Sequence, residues 1–139
     1  MEAIKSKIYV SWDDIEHLVH DLCAQIAMSG LQIKHVFGLP RGGLVPAVMI
    51  SHRLGIPLIV DETQITEYTL IVDDICDSGE TFEKFSKKHP ISDFACLHFK
   101  PKTASFKPTF SASSFHSDEW IVYPWERADS HTIQDYLKF

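Results

Sequence analysis

The chain has 139 residues, which is enough for one domain with a single hydrophobic core but cramped for two. Its 45% hydrophobic and 23% charged residues are typical of a globular protein and exclude a disordered or fibrous chain. The formal net charge of −6 argues against a general nucleic-acid surface, because such surfaces carry a basic excess. An acidic protein can still bind phosphate locally, through backbone N–H groups or a metal ion.

The cysteines and the apolar runs bear on the compartment. Cys23, Cys76 and Cys96 lie far apart, and no CxxC or paired Cys/His spacing occurs, so neither a disulfide framework nor a structural zinc site is predicted. The N-terminal residues lack the apolar core of a signal peptide, and no apolar run approaches the ~20 residues of a membrane helix. We therefore expect a reduced, cytoplasmic protein.

The first predicted element is an amphipathic helix. Ser11 can cap it, and Asp13 and Asp14 occupy its first turn, where negative charge suits the helix dipole. Apolar residues then recur at helical spacing until Ser29 and Gly30 end the run.

Short apolar strands and helices follow in alternation. Residues 33–39 predict a strand, and residues 40–55 predict a loop and a helix with Pro46 in its first turn and Gly55 as its stop. Residues 57–60 and 69–74 are continuously apolar in the manner of strands buried on both faces of a parallel sheet.

The last third of the chain changes character. Residues 80–89 predict a short helix and residues 93–99 another strand, but from Lys100 onward Pro, Ser and aromatic residues replace the pattern, and this segment is not another βα unit. Residues 130–139 predict a short closing helix. The alternation of strands and helices indicates an α/β fold, with a mostly parallel sheet flanked by helices in a single domain.

The most informative motif is TLIVDDICDSGET, residues 69–81. Ligands of parallel sheets collect beyond the carboxyl ends of the strands, and Asp73, Asp74 and Asp77 are predicted at such an end. The turn that follows directs backbone N–H groups and the hydroxyls of Ser78 and Thr81 at one spot, which is a phosphate-binding arrangement. Carboxylates repel phosphate unless they hold something else, so the motif suggests a phosphorylated sugar with a hard cation such as Mg2+.

Three other interpretations of the acids compete. A Walker-B strand is improbable because no GxxxxGK[ST] occurs in the chain, and a dinucleotide fold is improbable because no GxGxxG follows the first strand. Helix capping accounts for Asp77 but leaves Asp73 and Asp74 unexplained.

A second loop, Arg41-Gly42-Gly43, follows the strand at residues 33–39 in the same way. Glycine lets the backbone approach a ligand closely, and arginine supplies a fixed charge for phosphate or pyrophosphate. Taken alone, an ordinary loop with a surface arginine is the better explanation.

Three segments together carry a family resemblance. GLPRGGLVPAVMISHRLGIPL, LIVDDICDSGET and DEWIVYPWE occur in this order, and over nearly the whole chain they resemble the type I phosphoribosyltransferases, particularly the purine enzymes acting on xanthine, guanine or hypoxanthine. The resemblance implies the type I phosphoribosyltransferase fold in one domain, residues 1–139. Its core would span about residues 30–100, and a small hood would form from about 101–139 together with the N-terminal residues.

The resemblance also implies an activity and a substrate site. Family enzymes transfer the 5-phosphoribosyl group of phosphoribosyl pyrophosphate (PRPP) to a purine nitrogen and release pyrophosphate, with Mg2+ as cofactor. By resemblance the ribose hydroxyls and Mg2+ belong to Asp73 and Asp74, the 5-phosphate to Asp77, Ser78, Gly79, Glu80 and Thr81, and the pyrophosphate to Arg41 and Gly42. The peptide before Arg41 is expected to be cis.

The base site is assigned by the same resemblance. Asp77 would be the general acid/base, Lys100 would contact the 6-oxo group, Trp120 would stack on the purine and the backbone at Ile121 would read its edge. Lys102 competes with Lys100, and Asp118 is a further candidate metal ligand. The implied partners are PRPP and a purine base or nucleotide, in a homo-oligomer (dimer or tetramer), without nucleic acid or membrane.

One segment departs from the family pattern. Relatives usually carry a long mobile loop that closes over PRPP, whereas here only residues 61–69 join the two strands, without any Lys or Arg. Two hypotheses therefore stand: an oxopurine phosphoribosyltransferase, and a non-catalytic or weakly active regulator that binds PRPP or a purine nucleotide. A sugar-phosphate hydrolase with Asp73 as nucleophile is the weaker third.

Overall fold

The computed structural model describes residues 6–127. The elements in chain order are β1 (Lys7–Tyr9), α1 (Trp12–Met28), β2 (His35–Gly38), α2 (Leu44–Leu54), β3 (Leu58–Ile59), a 3-10 turn (Glu62–Gln64), β4 (Thr69–Cys76), α3 (Glu80–Lys88), β5 (Asp93–Phe99), β6 (Phe110–Ser114) and β7 (Trp120–Val122). The predicted elements before Lys100 are all present, with ends that differ by a few residues. The predicted closing helix at residues 130–139 lies outside the described residues.

The central sheet has five parallel strands in the order β3-β2-β4-β5-β6. Because all five run in one direction, the segments that follow β2, β4 and β5 leave from the same edge. These are the Arg41-Gly42-Gly43 loop, the Asp77–Thr81 turn and the loop that starts at Lys100. The α/β fold class with a mostly parallel sheet is thereby confirmed.

Helices cover both faces of this sheet. On one face α1 and α2 bury their apolar sides against β2, β4 and β5 in a cluster that includes Ile15, Leu22, Ile50, Val72 and Leu97. On the other face α3 inserts Phe82 against Phe37, Phe94 and their neighbours. The capping box expected from Ser11 is present, since Ser11 Oγ accepts the Asp14 N–H at 3.0 Å and Asp14 Oδ2 accepts the Ser11 N–H at 2.9 Å.

The segment after Lys100 contributes strands to two sheets. β6 pairs in parallel with β5 and extends the central sheet, although no helix connects them. β7 pairs in parallel with β1, so the chain's N-terminal residues join its C-terminal segment in a separate two-stranded sheet. The division into a core up to about residue 100 and a hood beyond it stays a prediction. β6 belongs to the segment after residue 100 but packs with the sheet formed by the segment before it.

One prediction about β4 was wrong in detail. The strand was predicted to end at Asp74, but β4 continues to Cys76. The reason is its neighbour, because β5 is long enough to pair Ile75 with His98 and Cys76 with Phe99. Only Asp77 lies beyond the strand. No helix within residues 6–127 is long and apolar enough to cross a membrane.

Candidate active site

The acid pair and the glycine loop lie against each other. A Cβ placed on Gly42 would fall 2.2 Å from Asp74 Oδ2, so only glycine allows this loop to approach the carboxyl so closely. Neighbouring strands produce the contact, because Gly38 at the end of β2 pairs with Val72 of β4. The Pro40–Arg41 peptide is cis, as the resemblance implies.

Backbone N–H groups hold both carboxyls of the pair. Asp73 Oδ1 accepts the Asp74 N–H at 2.9 Å, and Asp74 Oδ1 accepts the Ile75 N–H at 2.8 Å. Burial raises the pKa of Asp74 to about 6, with the side-chain hydrogen bond with Asp73 opposing this shift and the nearby charge of Glu126 contributing to it. The structure thus places two neighbouring carboxyl groups where burial leaves the charged form of Asp74 poorly solvated.

The Asp73 and Asp74 carboxyl groups supply only some of the ligands that a hard cation such as Mg2+ needs. Two adjacent carboxyl groups offer the oxygen ligands that Mg2+ prefers, and a cation would relieve the unfavourable charge at Asp74. Residues 6–127 contain no group of three or more His, Cys, Asp or Glu side chains able to hold a metal ion. Asp118 is exposed and is not brought together with the pair in such a group. The remaining ligands would have to be substrate oxygens and water, as is usual for Mg2+.

The turn before α3 has the backbone of a phosphate site. Gly79 caps the helix at φ +82, and a Cβ there would lie 2.8 Å from the Phe106 nitrogen. α3 begins at Glu80, so the N–H groups of its first turn lack helical acceptors, and Ser78 Oγ takes the Glu80 N–H at 3.2 Å. Gly79 is therefore required both by its backbone angle and by the closeness of the neighbouring loop.

That neighbouring loop supports the turn. The Ser105 N–H donates to the Ser78 carbonyl at 2.8 Å. The Ser105 hydroxyl lies 3.1 Å from the same carbonyl and 2.8 Å from Glu83 Oε2 on α3. The loop after β5 thus fixes the backbone of the phosphate turn.

Asp77 and Lys100 form an ion pair at the ends of adjacent strands. Lys100 Nζ lies 3.5 Å from Asp77 Oδ2, and the lysine is 6% exposed while the rival Lys102 lies on the surface. Thr103 Oγ1 lies 2.9 Å from both Asp77 Oδ1 and the Asp77 carbonyl. Asp77 is therefore held by two residues of the loop after β5, and its side chain keeps 46% of its surface accessible.

Lys100 also connects Asp77 with the start of β7. Its ammonium donates to the Glu119 carbonyl at 3.2 Å, next to Trp120. Trp120 is half-buried, and its indole N–H is buried without a hydrogen-bond partner among residues 6–127. The Trp120 N–H donates to the Ser6 carbonyl, and the Val122 carbonyl accepts the N–H of Val10, just after β1. The strand alternation therefore turns the polar groups of Ile121 away from β1.

Several residues of this site have no counterpart among the sequence predictions. Thr103 and Ser105 hold the phosphate turn, and Tyr123 and Glu126 lie near Asp74. The rule that ligand groups follow the carboxyl ends of parallel strands could have indicated Thr103 and Ser105, since they follow β5. Nothing local in the sequence indicates Tyr123 and Glu126.

The connection between β3 and β4 is as short as expected. β3 ends at Ile59 and β4 begins at Thr69. The connection folds onto the molecule, because the Thr66 carbonyl accepts the Ser92 hydroxyl at 2.9 Å and the ring of Tyr68 lies 4.4 Å from Lys34 Nζ. It contains one 3-10 turn and no longer projecting segment.

Known proteins resemble the chain in sequence and in structure. No family model matches it. The xanthine-guanine phosphoribosyltransferase of Cereibacter sphaeroides is 30% identical over 86% of this chain and 87% of its own length. The chain belongs to the purine phosphoribosyltransferase family.

Other comparisons agree with this membership. The xanthine-guanine phosphoribosyltransferase of Idiomarina loihiensis is 27% identical over 86% of this phosphoribosyltransferase and 87% of its own chain. A purine phosphoribosyltransferase from Pyrococcus horikoshii matches with a TM-score of 0.74 and 27% identity, over 91% of this chain and 99% of that one. A hypothetical protein from Neisseria gonorrhoeae, solved with bound ppGpp, also has a TM-score of 0.74, with 28% identity over 92% of this chain and 93% of that one.

Proposed function

We propose that this phosphoribosyltransferase transfers the 5-phosphoribosyl group of PRPP to an oxopurine (xanthine, guanine or hypoxanthine), giving the nucleoside 5′-monophosphate and pyrophosphate. One observation carries the proposal. The Asp77–Lys100 ion pair lies between the phosphate turn and the start of β7, so groups for the sugar phosphate and groups for the base adjoin. Purine salvage is the corresponding role.

The loops at the carboxyl edge of the sheet supply the groups that bind PRPP. The N–H groups of the turn at Asp77, Ser78, Gly79, Glu80 and Thr81, with the Ser78 and Thr81 hydroxyls, bind the 5-phosphate. Asp73 and Asp74 hold the ribose hydroxyls, and Arg41 with the Gly42 backbone binds the pyrophosphate. Asp73 and Asp74 would also hold Mg2+, which would supply positive charge against the charge that builds on the departing pyrophosphate.

The transfer step needs a base for the purine proton. The Asp77 carboxylate accepts the proton from the purine ring nitrogen as that nitrogen bonds to the anomeric carbon of PRPP. The bond from this carbon to the pyrophosphate oxygen breaks, and pyrophosphate leaves with the bonding electrons. Lys100 and Thr103 hold Asp77 in place before the base arrives.

Oxopurine selection is assigned to Lys100 and β7. The ammonium of Lys100 donates to a 6-oxo group, whereas the 6-amino group of adenine is also a donor and cannot accept. The Trp120 ring stacks on the purine, and the backbone groups of Ile121, directed away from β1, read its edge. The comparisons give the non-catalytic regulator no support, because the named relatives are xanthine-guanine phosphoribosyltransferases.

The wider setting is proposed on the same basis. We assign the protein to the cytoplasm, since its three cysteines are free thiols. We propose a homo-oligomer, a dimer or tetramer, and a hood built from the C-terminal segment and β1. A homo-oligomer could also complete the cover over PRPP that the connection of residues 60–68 is too short to provide.

An assay of purified protein tests this function. It is incubated with PRPP and Mg2+ and, separately, with xanthine, guanine, hypoxanthine and adenine, and nucleotide and pyrophosphate are measured. We expect equal amounts of nucleotide and pyrophosphate with at least one oxopurine and little with adenine. Absence of nucleotide with every base, alongside measurable PRPP binding by calorimetry, would identify a binding protein instead of an enzyme.

A further inference from the structure

A buried tyrosine hydroxyl links the C-terminal segment to the acid pair. Tyr123 is 3% exposed, and its hydroxyl lies 3.2 Å from the Asp74 carbonyl and 2.8 Å from His98 Nδ1. A phenol has a single proton, so both contacts are satisfied together when His98 donates from Nδ1 and Tyr123 donates to Asp74. The result is a chain of two hydrogen bonds that ends on the backbone of β4.

The accepting carbonyl belongs to a peptide unit that also orients the Asp74 carboxyl. The N–H of this same unit is that of Ile75, and it donates to Asp74 Oδ1 at 2.8 Å. A peptide unit is planar, so fixing its carbonyl also fixes the direction of its N–H. Tyr123 therefore sets, through one peptide plane, the donor that aims the Asp74 carboxyl.

Tyr123 itself is held firmly by the segment that follows it. The Glu126 N–H donates to the Tyr123 carbonyl at 2.9 Å, which closes a turn with Pro124 at its second position. Glu126 Oε1 accepts the Tyr123 N–H at 2.7 Å. The Trp125 ring stacks on Tyr123 at 4.9 Å with an interplanar angle of 1°.

We propose that Tyr123 is a positioning residue for PRPP binding, which acts by holding the Asp74–Ile75 peptide and thereby the Asp74 carboxyl, and that His98 acts through it. The proposal rests on the proposed function, because it assigns the ribose of PRPP to the acid pair. It gives the YPWE segment a role in the sugar half of the site. The base half, at Asp77 and Lys100, does not contact Tyr123 directly.

The test removes the hydroxyl and retains the ring. In Tyr123→Phe, the loss of one hydrogen bond should weaken PRPP binding, measured by calorimetry with Mg2+, about fivefold. The Michaelis constant for PRPP should rise similarly, while that for the oxopurine changes little. Tyr68→Phe removes a hydroxyl outside the site, and it should behave as wild type in both respects. Equal effects on PRPP and base, or no effect on either, would overturn the proposal.

A double-mutant cycle separates His98 from general packing. His98→Phe should weaken PRPP binding in the same direction, and the double variant His98→Phe/Tyr123→Phe should bind PRPP no worse than Tyr123→Phe alone. Additive losses would contradict a role of His98 through Tyr123. Melting temperatures are recorded alongside, because loss of a buried partner lowers stability whether or not PRPP is involved.

Failure of the proposed function gives a different pattern. If wild-type protein binds PRPP but transfers nothing, the function fails while the calorimetric comparison still tests Tyr123. If wild type does not bind PRPP at all, a crystal structure of Tyr123→Phe decides. A shifted Asp74 carboxyl that no longer accepts the Ile75 N–H supports the positioning role, and an unchanged carboxyl overturns it.

Discussion

Lys100 is a buried ammonium, and its neighbours explain how the fold accommodates it. A buried charge needs partners, and Lys100 has the Asp77 carboxylate, the Glu119 carbonyl and the face of the Phe115 ring 5.6 Å from Nζ. The Glu119 carbonyl accepts a hydrogen bond and the Asp77 carboxylate is an ion-pair partner, which leaves donor capacity on the ammonium for a ligand acceptor. The choice between Lys100 and Lys102 followed from the family pattern, whereas burial distinguishes them physically.

His98 gives a pH-dependent contribution to stability. Burial lowers its pKa to about 4, with the Lys100 charge acting in the same direction and Asp14 opposing it. The unfolded chain therefore binds more protons at this histidine than the folded one between about pH 6.5 and pH 4. The free energy of unfolding should fall as pH decreases through this window, by an amount on the order of 3 kcal/mol from this group.

Denaturant unfolding at a series of pH values checks this expectation. His98→Gln removes the titrating ring, so the variant should lose less stability than wild type between pH 6.5 and pH 4, whatever its stability at pH 7.5. His20→Gln, on the exposed side of α1, is the matched control and should retain the wild-type slope. An unaltered slope in His98→Gln would show that this histidine is not the group responsible.

At the scale of elements, periodicity and turn residues were sufficient to predict most of the fold. The Ser11 cap, the helical spacing of α1 and the stop at Gly55 are local signals, and each has its expected structural counterpart. The end of β4 was not predictable from β4 itself, because its pairing with β5 carries it past Asp74. β6 was not predicted because its joining the sheet depends on the long-range contact with β5 and not on a local pattern.

Residues of the candidate site were likewise predictable where they are contiguous in the sequence, and not where long-range contacts bring them together. TLIVDDICDSGET predicted a phosphate turn because its acids, glycine and hydroxyls are contiguous. The contacts of Thr103 with Asp77 and of Tyr123 with Asp74 span 26 and 49 residues, and they arise only when the sheet edge forms. A single sequence carries no signal that pairs such distant residues.

The Gly42 loop lies so close to Asp74 that its shape should limit PRPP binding at the proposed site. In Gly42→Ala the new methyl group would meet the Asp74 carboxyl, so the loop or the carboxyl must shift. We expect PRPP binding to weaken at least tenfold, together with a loss of roughly 1–3 kcal/mol in stability from overpacking. Calorimetry with PRPP and Mg2+ measures the first effect, and denaturant unfolding measures the second.

Gly30→Ala distinguishes an effect on PRPP binding from an effect on stability. Gly30 has φ +76 and open space around it, so alanine there costs backbone strain without contacting the site. This variant should lose stability by about 1 kcal/mol and bind PRPP as wild type does. If Gly42→Ala bound PRPP equally well, the glycine loop would not belong to the substrate site.

For the whole molecule, the site is assembled by one edge of a parallel sheet and closed by a distant segment. In the proposed function, β2, β4 and β5 supply the pyrophosphate loop, the acid pair with the phosphate turn, and Lys100. β7 and the Tyr123 turn then bring the C-terminal segment to both halves of the site. In the proposed function, this arrangement provides the groups for transfer without the long loop between β3 and β4.

We propose that Asp77 carries the chemistry of transfer at this site, separately from PRPP binding. The most direct test measures turnover with an oxopurine and the dissociation constant for PRPP in wild type, in Asp77→Asn and in the exposed control Asp21→Asn. Loss of a general base predicts a fall in turnover of roughly 100-fold or more for Asp77→Asn, with PRPP binding largely retained and Asp21→Asn unchanged. Wild-type turnover in Asp77→Asn would contradict the account.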